Sequence, residues 1–504
     1  MLAKTTPRGG LRLDAHKDRS TRHSLQTLAA PNRLVIPLDQ HVGRPAEPLV
    51  AVGEYVQWGQ PIAKATDEVS AWLHSPVSGL VEAIQDCPAP HKGGAPTLSI
   101  VIANDFADVR HPSATPLNNW PSASPASIRD HIAQGGIVGL GGAAFPTGAK
   151  LSRAAREPRI ADPEVSDPEP RTPNPDKRWL LLNGAECEPY ISCDEMLMRE
   201  RAELIVTGAQ ILLHAMEADR CIVAIEDDAP EAEVSLRAAL TSANDSRIEL
   251  RVISSVYPAG GERQLISTIF GREVPFDGLP ADMGVLCQNV GTAAAIARWI
   301  TEGEPLIRRI VTITGDGVTD ARNLDIRIGT PISTAIAHCG GYTARVSRLI
   351  MGGTMMGVSL PHDDLPIVKA TNCVLAASEL DLQPRAPEMP CIRCGNCSEV
   401  CPAFLLPQQL HWYLREPDLG ELERHGLLDC IECGCCDYVC PSQIPLVERF
   451  RETKPVLESA LGARATAALS RRRFEARNER LERLEQEQRE RLQRKRDQLR
   501  SSSE

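Results

Sequence analysis

What this 504-residue chain lacks narrows its function before any motif is read. Its opening segment, MLAKTTPRGGLRL, has no apolar stretch of the kind a secretory signal needs, so no leader is expected. No run of about eighteen apolar residues occurs, which predicts no bilayer-spanning helix. Positive charge is in deficit: 55 Lys and Arg stand against 66 Asp and Glu, a net charge of −11. That balance argues against a general nucleic-acid binder. His214, His338, His411 and His425 show no paired ligand spacing and read as structural or surface residues. There is no G-K-[ST] P-loop, and no dinucleotide G-x-G-x-x-G in its usual register.

Cysteine, by contrast, is plentiful, at sixteen. Nine fall in two runs, CIRCGNCSEVCP (391–402) and CIECGCCDYVCP (430–441), and eight of these take the spacing C-x2-C-x2-C-x3-C-P. Three thiolates on one short loop can reach one iron–sulfur cube, while the fourth cysteine of such a run ligates the other cluster. The spacing assigns Cys391, Cys394, Cys397 and Cys440 to a first [4Fe–4S] cluster, and Cys430, Cys433, Cys436 and Cys401 to a second. Pro402 and Pro441 stop each run from continuing as helix. Zinc knuckles, the alternative, show paired C-x2-C groups without the trailing Cys-Pro. Cys435 reads as a non-ligand thiol. Cys87, Cys187, Cys193, Cys221, Cys287, Cys339 and Cys373 are scattered, and thiols beside iron–sulfur ligands favour a reducing cytoplasm.

The expected fold is multidomain α/β. Residues 1–30 are polar and aperiodic. Residues 31–105 read as short strands between Gly, Pro and Asp turns. Within them, VGEYVQWGQPIAKA followed by HSPVSGLVEAI resembles a lipoyl-like β-sandwich. The tip, ATDEVSA (65–71), carries no lysine to modify, so a structural β-domain is expected. Residues 124–305 alternate helix and strand, which argues a parallel sheet covered on both faces. Its strands are WLLLNG, CIVAIE and ELRVIS, and a helix is expected near 194–216. The proline-rich acidic insertion 157–177 is expected to be disordered. Residues 306–360 read as a β-grasp module that 364–380 returns to cover. Residues 385–450 hold the two-cluster ferredoxin motifs on helices and loops, and 455–504 form a charged helical tail.

A second chemical signal is GLGGAAFPTGAK (139–150). Gly139, Gly141 and Gly142 let backbone amides approach an anionic or planar ligand. The helix that follows offers its N-terminal end to a phosphate, and Lys150 adds a point charge. A tight turn would account for the glycines as well.

The loop does not stand alone. Followed by LLNGAECEPYISCDE, YPAGGERQL and CQNVGT, it resembles the flavoprotein subunit of respiratory complex I. With the sandwich, the β-grasp (SLBB-like) module and the double cluster motif, the chain resembles the C-subunit family of Rnf (Rsx) ion-translocating electron-transport complexes. That resemblance implies a peripheral enzyme subunit on the cytoplasmic side of the bacterial inner membrane. It would move electrons between NAD(H), FMN and two [4Fe–4S] clusters. Its partners would be membrane subunits of the same complex and a ferredoxin-type iron–sulfur subunit, with no nucleic acid. The resemblance also implies that Gly139, Gly141, Gly142 and Lys150 hold the FMN phosphate and ribityl chain, and that Phe145 stacks on the nicotinamide or adenine. Asn183, Glu186 and Glu188 would border flavin and nucleotide. Tyr257, Gly260, Gly261 and Glu262 would form another wall, which Asn289 and Thr292 close. No catalytic acid–base residue is expected. The complex I pattern has acidic residues where this chain has Ala185 and Gly261. A soluble diaphorase subunit, or a relay without flavin, stays open.

Overall fold

The computed structural model describes residues 9–155, 177–275, 278–382, 386–415 and 418–501. The expected disordered insertion at 157–177 lies outside them apart from Lys177. The chain divides into two units. The larger is Met1–Pro387 with Glu399–Pro402 and Cys433–Cys435; the smaller is Glu388–Ser398, Ala403–Glu432 and Cys436–Glu504.

The larger unit is built on a four-stranded sheet of β1 (Trp179–Gly184), β2 (Arg220–Glu226), β3 (Ile248–Ile253) and β4 (Val285–Asn289). Strand order is β3-β2-β1-β4, and every pairing is parallel. Burial on both faces explains why β1 and β2 are apolar runs rather than alternating ones. Leu180, Leu182 and Val223 share one core with Ile205 and Leu212 of α4 (Ala202–Met216) and Ile296 of α7 (Val290–Glu302). Leu181 and Ile222 point the other way, against Leu265, Ile266 and Ile269 of α6 (Glu262–Phe270). The helices α1 (Pro125–Gln134), α2 (Thr147–Ala154), α3 (Cys193–Glu200) and α5 (Pro230–Ala243) complete the layers.

The single helix expected over 194–216 is two, α3 and α4, parted at Arg201 with φ −139° and ψ 36°. The Arg201 guanidinium reaches the buried Asp325 at 2.8 Å. That anchor is 124 residues away, so no local pattern announces the break.

Residues 33–104 form the expected sandwich, with sheets of four and three strands closing over Leu34, Ile36, Val56, Ile62, Val81 and Ile102. Just before the tip, Lys64 pairs with Glu47 at 3.0 Å. A six-stranded sheet follows, in the order Gln26–Thr27, Arg322–Arg327, Arg308–Thr314, Cys373–Ala377, Arg348–Met351, Val358–Leu360. Two of these strands come from outside the expected 306–360. Cys373–Ala377 sits centrally, and all of CVLAA is buried there.

Among the described residues, Gln26–Thr27 ends a strap that runs on from Gly9. Leu11 and Tyr257 exchange backbone hydrogen bonds of 2.7 and 2.8 Å. Tyr190 N–H donates to the Ala15 carbonyl at 2.8 Å, and the His16 ring stacks on Tyr190 with centroids 4.6 Å apart. Asn323 Nδ2 donates to the Ser20 carbonyl at 3.1 Å. Each tie is a single residue, so the segment has no period for a sequence to display.

The smaller unit packs Leu410, Leu422, Leu427, Ile444, Phe450 and Leu457 into its own core. Its last helix, Leu446–Ser501, starts earlier than the expected 455 and runs 56 residues, roughly 84 Å at the usual helical rise.

The α4–α7 contact gives a direct test. A Cβ on Gly208 would overlap the carbonyl oxygen of Ala293. Gly208→Ala should therefore destabilise the larger unit by about 1–3 kcal/mol, the usual cost of overpacking. Thermal and urea unfolding followed by circular dichroism would measure it.

Candidate functional site

Strand order in the parallel sheet reverses at β1, whose neighbours β2 and β4 lie on opposite sides. Open parallel sheets bind ligands outside the carboxyl ends of the strands at such a reversal. Asn183 of β1 and Asn289 of β4 are in-register partners at that edge. Both side chains are committed to protein groups. Asn183 Nδ2 donates to the Gly260 carbonyl at 2.8 Å, and its Oδ1 accepts from Ala185 N–H at 3.0 Å. Asn289 Oδ1 caps α7, accepting from Gly291 N–H at 2.8 Å and Thr292 N–H at 3.3 Å. Its Nδ2 donates to Asp194 at 2.5 Å.

The glycine loop is fastened beside them. Leu140 N–H donates to Thr292 Oγ at 2.9 Å, and Arg309 donates to the Leu140 carbonyl at 3.2 Å. Gly139 N–H closes the loop onto the Phe145 carbonyl at 2.8 Å. A Cβ on Gly142 would meet nothing within 4 Å, and on Gly139 or Gly141 nothing nearer than 3.7 or 3.6 Å. Packing therefore does not require these three glycines. They leave the cradle an extended planar or anionic group would fill, and the donor set suits a flavin phosphate. Lys150, on α2, reaches Glu262 at the start of α6 at 2.8 Å with both side chains partly exposed. Phe145 is exposed on the same loop.

The other residues named from the sequence are held differently. Glu186 caps α3, accepting from Asp194 N–H at 3.0 Å and Glu195 N–H at 3.1 Å. Burial, then the neighbouring Asp194, pushes its carboxyl well above the usual range. Glu188 is also pushed up by burial, and accepts from Met355 N–H at 2.7 Å and Met356 N–H at 3.0 Å. Gly260 is a packing glycine, with the Ala185 carbonyl 2.6 Å from where its Cβ would be. Gly261 is the residue before α6, and a Cβ there would crowd Gln264. The buried Tyr257 hydroxyl donates to the Cys433 carbonyl at 2.6 Å.

The cluster motifs repeat one backbone. Arg393 and Gly395 in the first loop have φ 57° and 87°; Glu432 and Gly434 in the second have 57° and 79°. Phe404 and Gln443, each three residues past the fourth cysteine, have φ 54° and 51°. Left-handed residues among right-handed ones turn successive N–H groups inward, the concavity that suits an anionic iron–sulfur cube. Cys391, Cys394, Cys397 and Cys440 line one cavity of the smaller unit. Of the second set, Cys430 and Cys436 are grouped with the smaller unit and Cys401 and Cys433 with the larger.

Sequence reasoning missed a buried ion group at the same edge of the sheet. Glu226, the last residue of β2, is 2% exposed, and neither carboxylate oxygen has a hydrogen-bond partner among the described residues. Lys17, from the strap, lies 3.9 Å from it, 3.7 Å from Glu195 and 3.3 Å from Asp228. Burial opposes the Lys17 charge, but the carboxylates hold its pKa above the ordinary lysine value. Burial pushes Glu226 up to about 8 against the attraction of Lys17. The one visible signal was a carboxylate ending the apolar run CIVAIE.

The folded state therefore keeps a proton on Glu226 that the unfolded chain releases near its ordinary pKa of 4.5. Stability from this residue is full below 4.5 and is lost as pH rises through about 8. Glu226→Gln should melt with the parent at low pH and, at alkaline pH, melt higher by on the order of a few degrees. Melting curves of the cofactor-loaded protein across that range measure the difference.

Four domain families match parts of the chain. Residues 132–298 match the Nuo51 FMN-binding domain, 5–107 the RnfC barrel sandwich hybrid domain, 310–359 the SLBB domain and 390–444 the 4Fe-4S dicluster domain. The C subunit of the ion-translocating oxidoreductase complex of Pseudomonas aeruginosa is 45% identical over 95% of this chain and 59% of its own length. The protein of the same name from Pectobacterium carotovorum is 41% identical over 94% of this chain and 60% of its own. The chain thus spans about three fifths of the length of the curated relatives it matches. Among solved structures, an NAD+-reducing [NiFe]-hydrogenase chain aligns over 68% of this chain and 61% of its own, with 18% identity and a TM-score of 0.44. In its sequence relatives and its domain content, the chain is similar over nearly all of its length to the C subunits of ion-translocating oxidoreductase complexes.

Proposed function

We propose that this chain is the NAD(H)-handling subunit of a membrane-bound ion-translocating electron-transport complex. It exchanges electrons among NAD(H), FMN and two [4Fe–4S] clusters. The observation that carries the reading is the open glycine cradle at the sheet reversal, in a chain that also holds two nested four-cysteine motifs. NAD(H) carries two electrons as a hydride, and a [4Fe–4S] cluster takes one at a time. A bound flavin exchanges electrons in both ways and so connects them.

The protein's part is binding and orientation. The amides of Gly141 and Gly142 and the ammonium of Lys150 would hold the FMN phosphate and ribityl chain, with Gly139 closing the loop around them through its bond to the Phe145 carbonyl. Phe145, exposed on that loop, supplies a stacking face for the nicotinamide or adenine. Asn183, Asn289 and Thr292 fix the loops, Glu186 and Glu188 fix the elements behind them, and Tyr257, Gly260, Gly261 and Glu262 shape the far wall. None needs to move a proton for hydride transfer.

No helix among the described residues is long and apolar enough to cross a membrane. We place the chain on the cytoplasmic face of the bacterial inner membrane, held by membrane subunits and working with a ferredoxin-type iron–sulfur subunit.

Two variants test the assignment of cofactors to modules. Lys150→Ala should weaken FMN retention roughly tenfold or more, as expected for losing a charged hydrogen bond, while iron content is unchanged. Equal loss of iron and flavin would refute separate sites. Cys440→Ser should damage the first cluster more than the second in EPR spectra; the reverse pattern would overturn the ligand sets.

A further inference from the structure

The two cluster loops share a backbone, yet their charged residues are treated oppositely. In the second loop, Glu432 is neutralised by Lys454 at 2.7 Å and Arg451 at 2.9 Å. Lys454 and Arg451 both belong to the long final helix. The equivalent residue of the first loop is Arg393, and no carboxylate pairs with it among the described residues. Its guanidinium lies 5.2 Å from the centre of the Trp412 ring, and that of Arg415 lies 4.9 Å from the same ring. Arg415 likewise has no carboxylate partner among the described residues.

Around these two cations the surface is apolar and open. Ile392 is 67% exposed and Met389 60% exposed, and Cys394 is the exposed cysteine of its loop. Stacked guanidiniums keep most of their donors free in the plane of the group. A basic spot with an apolar centre is unexpected on a chain of net charge −11. Electron transfer weakens steeply with distance, so a cluster held under an exposed ligand is where a partner can come close.

We propose that the face around Ile392, Arg393, Cys394 and Arg415 is the docking site for a redox protein that presents carboxylates around its own one-electron centre. The inference rests on the reading of Cys391, Cys394, Cys397 and Cys440 as cluster ligands. Apolar contact at Met389 and Ile392 brings the two centres together, and Arg393 and Arg415 steer the approach. Steering by complementary charge accelerates encounter and fades as salt rises. The second loop, with Glu432 already neutralised, offers no such handle.

The test uses the cofactor-loaded chain and an acidic plant-type [2Fe–2S] ferredoxin as probe. Reduced ferredoxin is mixed with the oxidised chain in a stopped-flow instrument at rising ionic strength. The rate should fall with salt, and Arg393→Glu with Arg415→Glu should slow it roughly tenfold or more at low salt while converging with the parent at high salt. Basic cytochrome c, used as an acceptor from the reduced chain, should respond in the opposite sense. EPR of both clusters is recorded on every variant. If the first cluster is absent from the parent, the ligand reading fails. If it is present and the rates ignore both salt and charge reversal, the docking face fails. Should the double reversal itself disturb the cluster, Arg393→Gln with Arg415→Gln gives the same comparison: a lower salt slope supports the proposal and an unchanged slope overturns it.

Discussion

A parallel sheet whose strand order reverses leaves a crevice at the carboxyl ends of its strands, and the larger unit is arranged around that crevice. Asn183 and Asn289 face it in register from β1 and β4, but neither is spare. Each ties down a neighbouring loop, so the crevice is walled by loops whose positions are set before any ligand arrives. The glycine loop is gripped from two elements, by Thr292 on α7 and by Arg309 from the following sheet. Preorganisation of this kind lowers the entropic cost of holding a long cofactor. It also explains why the carboxylates Glu186 and Glu188 are buried: they hold backbone N–H groups of α3 and of the 352–357 loop.

The strap of residues 9–28 depends on the same edge. It supplies Lys17, the one cation within 4 Å of Glu226 among the described residues, and passes on to add a strand to the next sheet. Lys17 also meets Glu195 at 3.7 Å and Asp228 at 3.3 Å, so loss of the strap would strip this acidic group of its cation. The end of β2 therefore depends on the strap. A segment that reads as polar and aperiodic is part of the wall behind the site.

Legibility in the sequence followed the range of the interactions. WLLLNG, CIVAIE and ELRVIS announced themselves because burial on both faces gives continuous apolar runs. The cysteine runs were legible because cluster ligation is a local spacing rule, and the paired φ values at Arg393 and Glu432 come from that same rule. The three glycines of the cradle were legible as a loop, though only the space beside them separates a ligand cradle from a tight turn. What could not be read was long-range. The break at Arg201 is set by Asp325, the strap by single contacts hundreds of residues apart, and the central position of Cys373–Ala377 by a sheet begun at Arg308. Gly260 reads from the sequence as part of the site's wall, and sequence does not say that the Ala185 carbonyl fills its Cβ side.

The central claim is that one chain converts between two-electron and one-electron carriers, with the flavin cradle at the sheet reversal as the point of exchange. Anaerobic titration of the purified, cofactor-loaded chain with NADH, following the flavin absorbance and the cluster EPR signals together, tests it most directly. The account predicts a flavin band that bleaches as NADH is added, in a protein carrying both cluster signatures. A chain that carries both clusters but has no flavin bleachable by NADH would contradict it.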